Sequence, residues 1–390
     1  MLTMKEKQSV SAVLRKRYRK SGKKEKGKIL NELVAITGYN RSYARRLFNS
    51  LKKRGRKRTK KPRERVYDLD VFYPLRKIWA AADGICGQRL QPFIPELVRV
   101  LEREKELTLE KEVKEKLLKI SSATIDRVLS ATKKKCQLKG RSTTKPGTLL
   151  KNSIPIRTFA DWNENKPGFF EADLVALCGI TVKGHYVNCL NLTGVFTGWV
   201  GLEAVMGKAQ SRVHAAVERI KNRLPFPLLG LDSDNGTEFI NWLLKRYCEA
   251  NKITFTRIRP NRKNDNCYVE QKNYTVIRRF LGYARYDTDQ QLVIIRQILK
   301  LVEIYVNFFQ PVMKLTKKER TGAKVKKWYD TAKTPYQRVL AYGVLKGKKK
   351  QELKVFYKSL NPLDLKRKID KLTKKLDKAF RYNLNDLTNR

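Results

Sequence analysis

The chain has 390 residues, with 87 Lys and Arg against 37 Asp and Glu and only two His, for a formal net charge of +50. Self-repulsion at this charge costs stability and is usually compensated by a polyanion, which excludes an ordinary enzyme of small metabolites and makes nucleic acid the first expectation and an anionic membrane surface the second. A hydrophobic share of 41% excludes a wholly disordered basic tail and allows two or three domains. No run approaches the roughly 18 apolar residues of a membrane span. The N-terminus has no apolar signal core, so the expectation is a soluble, non-secreted protein, cytoplasmic and nucleoid-associated, with no membrane partner.

The charge is uneven. Residues 1–66 hold 24 basic and 4 acidic residues (+20), 67–150 hold 17 and 11 (+6), 151–310 hold 22 and 15 (+7), and 311–390 hold 24 and 7 (+17). Two basic ends thus flank a centre of nearly ordinary composition, as expected of a folded core carried between nucleic-acid grips. Six cysteines (86, 136, 178, 189, 248, 267) are scattered and His185 and His214 stand alone. This argues against a zinc module or a disulfide framework and for buried or free thiols in a reducing compartment.

The first block reads as a helix, a basic connector and a helix pair. Ile29, Leu30, Leu33, Val34 and Ile36 share one helical face, Gly38 punctuates, and a second helix begins near Asn40 with Tyr43, Ala44, Leu47 and Leu51 inward. This is helix-turn-helix grammar, although an ordinary helical hairpin has the same pattern. Asn40, Arg41, Ser42, Arg45 and Arg46 face outward, with side chains that reach base edges or phosphates in a major groove. The run 52–63, including Arg54 and Arg56, suits an arm along phosphates or in a narrow minor groove, a nuclear-localisation-like run, or a solvated linker.

Residues 67–132 read as helical and repeat the grammar. Val113, Leu117, Leu118 and Ile120 form a face, Ser121-Ser122 supplies a capping turn, and 123–129 continue as a helix. Gly140, Pro146, Gly147 and Pro155 mark 133–156 as a linker. Strands are then predicted over 169–177, 186–192 and 195–205 with a turn at 194–198. A helix over 209–223, a strand 228–232, a helix 237–250, a strand 253–258 and a helix from about 267 to 283 follow. Three hairpin-linked strands followed by alternating helix and strand predict an α/β fold, a mixed five-stranded sheet with flanking helices. Leu365, Ile369, Leu372, Leu376 and Ala379 then mark a basic amphipathic helix of about two heptads, suited to packing on the core, to DNA or to subunit association.

Three carboxylates occupy informative places. Asp173 lies within an apolar strand, where a carboxylate is costly unless paired or metal-bound. Asp234 ends the fourth strand before Asn235-Gly236, and Glu270 lies in the first turn of a later helix, with 35 residues between them. A strand centre, an adjacent strand end and a helix start can converge beside one sheet. Carboxylates with almost no nearby His favour a hard cation, Mg²⁺ or Mn²⁺, over zinc. Asp232 and Asp265 are read as supporting or structural, and Trp199 and Trp242 as core.

Asp173, Asp234-Asn235-Gly236 and Glu270 resemble the D, D-35-E signature of DDE transposases, specifically bacterial insertion-sequence transposases with a retroviral-integrase-like catalytic core. The resemblance covers about 150–320, including Asn307-Phe308-Phe309-Gln310-Pro311 and Lys314-Leu315. It implies a ribonuclease-H-like core preceded by all-α helix-turn-helix domains and followed by a basic, mostly helical region. The implied segments are 1–66 (helix-turn-helix DNA-binding domain with basic arm), 67–150 (second helical domain and linker), 151–310 (catalytic core) and 311–390 (basic C-terminal region). The resemblance departs from retroviral integrases in having no His before residue 185, hence no His/Cys zinc domain. It further implies a polynucleotidyl transferase in which Asp173, Asp234 and Glu270 hold two divalent ions about 3.5–4 Å apart for cleavage at transposon ends and strand transfer into target DNA. Double-stranded DNA is the implied partner, and a homo-oligomer follows because joining two ends needs two active sites. Lys272, Arg278 and Arg279, on or after the Glu270 helix, are candidates for holding phosphates. A metal-dependent nuclease without strand transfer, and a non-catalytic DNA-binding regulator derived from a transposase, are the alternatives from other classes.

Overall fold

The computed structural model describes residues 2–49, 66–134, 166–258, 267–321 and 324–388, the last eight of these as backbone alone. Arg54, Arg56, Leu51, Asp265 and most of the 133–156 linker lie outside the described residues. Contacts divide the chain into two units, Met1–Val66 and Tyr67–Arg390.

In the first unit, α1 (Met4–Lys20), α2 (Lys23–Thr37) and α3 (Arg41–Asn49) enclose a small core of Leu14, Tyr18, Ile29, Leu30, Leu33, Ala44 and Phe48. A reciprocal capping box between Thr3 and Glu6 starts α1. Gly38, left-handed at φ 69°, closes α2 by donating its N–H to the Val34 carbonyl. Two inward assignments are corrected: Ile36 and Tyr43 are exposed, because Phe48, absent from the predicted face, fills the space beside Tyr18.

The second unit begins with α4 (Leu69–Ala81), α5 (Gly87–Leu90), α6 (Ile94–Arg103), α7 (Lys111–Lys119), α8 (Ser122–Val128) and α9 (Ser130–Lys134). Ser121 caps α8, as its sequence signals. Leu117 and Ile120 are buried as expected, whereas Leu118 is exposed. A Cβ at Gly87 would meet the Ser122 carbonyl oxygen at 2.2 Å, so α5 and α8 touch there only through a glycine.

The sheet follows the predicted order, with β1 (Phe169–Ala176), β2 (Val187–Gly194), β3 (Val200–Met206), α10 (Gln210–Arg223), β4 (Gly230–Ser233), α11 (Trp242–Ala250) and β5 (Thr254–Arg257). Spatial order is β3-β2-β1-β4-β5, antiparallel across β3-β2-β1 and parallel across β1-β4-β5. With helices flanking it, this is the ribonuclease-H-like fold. The third strand begins at Val200 rather than 195, because Gly198 takes φ 73° in a turn. The helix expected from 237 begins at Trp242, where Asn241 caps it by accepting the Leu244 N–H. Trp242, read as core, is about half exposed on that first turn, whereas Trp199 is buried.

The helix α14 (Asp289–Phe309) solves the edge problem of β3. Arg296 donates to the Ala204 carbonyl, Glu303 accepts the Leu202 N–H, and Asn307 both accepts from and donates to Val200, at 2.8–2.9 Å. Alternate residues of an edge strand face outward, so side chains spaced along one helix face satisfy them in turn. Past Gln310 come a hairpin of β6 (Leu315–Thr321) and β7 (Lys324–Tyr329), which adds strands to a region expected to be mostly helical, then α15 (Pro335–Tyr342), α16 (Gly347–Lys358) and α17 (Pro362–Thr388). The last is a 27-residue helix, longer than its two-heptad signal. Leu365, Ile369 and Leu376 are buried in the core shared with α4, the sheet and α14, so of the three roles open to this helix the packing one is realised. Replacing Asn307 with Leu keeps the side-chain bulk but strands both polar groups of Val200. We expect a loss of about 2–4 kcal/mol in chemical denaturation, and a loss under about 0.5 kcal/mol would contradict this account of the edge.

Candidate active site

Parallel pairing of β1 and β4 sets Glu171 beside Asp232 and Ala172 beside Ser233. The same offset brings Asp173 beside Asp234 just past the end of β4. Because side chains alternate across a sheet, the two pairs share one face as successive rungs. Acid therefore faces acid twice along one strand pair.

The deeper rung is fully buried. Glu171 accepts the Val269 N–H at 2.9 Å, and Asp232 accepts the Thr256 hydroxyl of β5 at 2.5 Å. Burial first, and then the charge of Asp232, push the Glu171 carboxyl up to about 8, against the Val269 and Tyr268 N–H groups. Val269 lies in α12 (Cys267–Lys272), one residue before Glu270. Glu171 thus ties β1 to the helix that delivers the third carboxylate. Asp232 lies one rung below Asp234 on the same strand face. Glu171 was missed, although it is a carboxylate two residues before Asp173 in the same apolar strand.

The upper rung is half-buried. Asp173 Oδ1 accepts its neighbour's Leu174 N–H at 2.8 Å, and Oδ2 accepts from the Asn273 amide. Asn273 in turn accepts from Asn191 at 2.8 Å, and Asn191 from the Thr193 hydroxyl at 3.1 Å. Asn191 is the register partner of Asp173 on β2, so this chain of bonds crosses two strands to fix one carboxylate. Burial, then Asp234, and more weakly Glu270 push Asp173 up to about 7. Asp234 is pushed up to about 6 by burial and by Glu238, with the Gly236 N–H and Lys208 opposing. Its Oδ1 accepts the Gly236 N–H at 3.0 Å. Asn235 donates to the Ile258 carbonyl and accepts from Arg257, which joins the ends of β4 and β5 and gives the Asp-Asn-Gly context its structural reason.

Asp173 therefore lies within electrostatic reach of both Asp234 and Glu270. Glu270 itself is exposed. Among the described residues no three His, Cys, Asp or Glu side chains close into a ligand cage. The donor set is nonetheless all oxygen, mutually repelling and partly desolvated, which suits a hard divalent cation.

Past α12 the helix becomes a π-helix over Asn273–Arg278 before α13 (Arg279–Leu281), a form frequent at functional sites. Lys272 is half-buried, and its ammonium is lowered to about 7 by burial, Arg89 and Lys314. Arg278 donates to the Ala176 carbonyl at 2.8 Å and stacks on Tyr283, and Arg279 pairs with Asp83 at 2.7 Å, so both are bound within the fold. In the first unit Arg41, Arg45 and Arg46 are exposed, whereas the Asn40 side chain accepts the Ser42 N–H at 2.9 Å and serves as a helix cap.

A raised carboxyl contributes stability that is present below its unfolded value and lost as pH rises through its folded one. For Asp173 that window runs from 3.8 to about 7. Without metal, Asp173→Asn is expected to gain stability over the unsubstituted chain progressively across it and to hold the gain at pH 8. Denaturant midpoints at pH 4 and pH 8 check this, and an equal difference at both would contradict the raised Asp173 carboxyl.

No family model matches the chain. Among solved structures it is similar to the catalytic core domain of BIV integrase, at 18% identity and a TM-score of 0.29, covering 45% of this chain and 95% of that one. It is also similar to the HTLV-2 integrase catalytic core domain solved in complex with magnesium in a dimeric form, at 15% identity and a TM-score of 0.28, covering 37% of this chain and 90% of that one. The uncharacterized protein y4rM of Sinorhizobium fredii is 36% identical over 333 residues, which are 84% of this chain and 93% of that protein. The chain belongs to the family of that protein.

Proposed function

We propose that the chain is a DNA transposase, a polynucleotidyl transferase of the DDE class that cuts DNA at the ends of a mobile element and joins the freed end to target DNA. The observation that carries this reading is the Asp173–Asp234 rung, two half-buried carboxylates brought together where Asp234 follows the end of β4 beside the interior of β1, with Glu270 near enough to raise Asp173 further. Structural carboxylates in a stable core are ordinarily paired with cations, whereas Asp173 faces Asp234 and, among the described residues, makes no ion pair, the pattern of a functional site.

Asp173, Asp234 and Glu270 would hold Mg²⁺ or Mn²⁺, which when bound polarises phosphoryl oxygens and stabilises the attacking and leaving oxygens of a displacement. The chain's own contribution is orientation. Asn273 and the Leu174 N–H fix Asp173, the Gly236 N–H fixes Asp234, and Glu171 fixes the start of the Glu270 helix. Arg41, Arg45 and Arg46 of α3, exposed on a helix that follows a short turn, suit phosphate or base contacts in a helix-turn-helix, and Lys272, on the other flank of the Glu270 helix from the carboxylates, suits a more distant phosphate of the same strand. A homo-oligomer on DNA follows from the need to act on two ends.

The test uses labelled DNA carrying the sequences that flank the gene. With Mg²⁺, cleaved and joined products are expected. Asp234→Asn should lose them by at least about 10²–10³-fold while DNA affinity stays within a few-fold. Mg²⁺ should also stabilise the unsubstituted chain thermally, by about 2.7 kcal/mol at a hundred times its Kd, and Asp173→Asn far less. Normal cutting by Asp234→Asn would refute the carboxylate assignment, and cutting without any joined product would favour a nuclease.

A further inference from the structure

The helical segment that carries Glu270 has a second face, turned away from the carboxylates. Lys272, Thr275, Val276 and Arg279 recur on it at three- and four-residue steps and line a cavity of about 520 Å³, with Arg89 of α5 on its wall. Asp83 is the one carboxylate among the described residues lining this cavity, and it is engaged by Arg279 at 2.7 Å and Lys366 at 2.5 Å. Arg89 uses its Nε on the Pro311 carbonyl. Among the described residues no carboxylate pairs with Arg89, and the Lys272 ammonium, half-buried, has neither hydrogen bond nor ion pair.

Two cations without counter-charge among the described residues, on the wall of one small cavity, leave it short of an anion. Phosphate oxygens meet guanidinium and ammonium donors well. The remaining lining includes Val306 and Val312, which suit a sugar or base edge, so the complete ligand is a nucleotide. The volume lies in the range of small-molecule sites, about 300–1,000 Å³, and excludes a duplex. Asn273 of the same segment bonds Asp173, so the cavity and the carboxylates lie on opposite flanks of one helix. A helix is about 10–12 Å across, the span of about three nucleotides at 3.4 Å each along a strand.

We propose that this cavity receives an unpaired nucleotide of the DNA strand acted on, a few positions from the bond at Asp173 and Asp234, with its phosphate between Lys272 and Arg89. The proposal rests on the DNA-processing reading, and its test is independent of catalysis. Fluorescence anisotropy of the full chain in chelator, where no metal is present, compares a blunt duplex with the same duplex bearing a four-nucleotide unpaired tail. The tailed duplex is expected to bind at least about tenfold more tightly, the effect of one charge-assisted contact. K272Q and R89Q should bring the ratio towards one and lower the salt dependence of tailed binding by about 0.7 in log–log slope each. Thr275→Trp, which fills the exposed mouth while leaving both charges, should also abolish the preference, with the circular dichroism spectrum unchanged. Equal affinities for the two duplexes in the unsubstituted chain, or a preference that survives Lys272→Gln and Thr275→Trp, would overturn the proposal. A tail preference in a chain that never cuts DNA would sink the transposase reading and leave the cavity standing; cutting without a preference would do the reverse.

Discussion

The parallel register of β1 and β4 governs the rest of the molecule's chemistry. An offset that sets Glu171 against Asp232 must also set Asp173 against Asp234, and each rung of acid against acid needs its own remedy. At the lower rung the remedy is burial with a proton, since Glu171 is pushed up to about 8, together with bonds from Val269 and Thr256. At the upper rung no cation among the described residues pairs with Asp173. Amide donors hold Asp173 and Asp234 in place without neutralising them, which keeps the cluster attractive to an external positive charge.

The same register explains how the helix bearing Glu270 finds its position. Glu171 grips the backbone of Val269, and Asn191 reaches both the Val269 carbonyl and Asn273. Two strands therefore hold the segment at its first and second turns. Its π-helical continuation carries Ile277 into the core, while Lys272, Val276 and Arg279 line the cavity on the other side. One helical segment thereby separates an acidic flank from a basic one within a single helix diameter.

The strand order, the hairpin-linked start and the positions of Asp173, Asp234 and Glu270 were legible in the sequence, because alternation, turn residues and spacing are local signals. Glu171, Asn191, Asn273 and Arg89 were not singled out. Their roles arise from partners far off along the chain: Glu171 and Val269 are 98 residues apart, and Asn191 and Asn273 are 82 apart. Periodicity also misplaced single residues where one aromatic outcompeted another, as Phe48 did Tyr43, and it read Trp242 as core when a cap at Asn241 turns that residue outward. The Asn-Phe-Phe-Gln-Pro run was noticed by resemblance. Its physical content lies in Asn307 on the edge of β3 and in Gln310 on the Ala82 carbonyl at 2.7 Å.

The long last helix has a consequence for the order of folding. The apolar face of α14 is covered by Leu365, Ile369 and Leu376, which leave the ribosome after everything else in the core. Contacts this remote in sequence pay their loop-closure entropy late. A nascent chain that has already exposed its basic N-terminal helices and all three carboxylates still lacks one wall of its core. Completion of the core therefore waits for α17, so that a chain cut short before residue 365 would carry the three carboxylates without the packing of Leu365, Ile369 and Leu376.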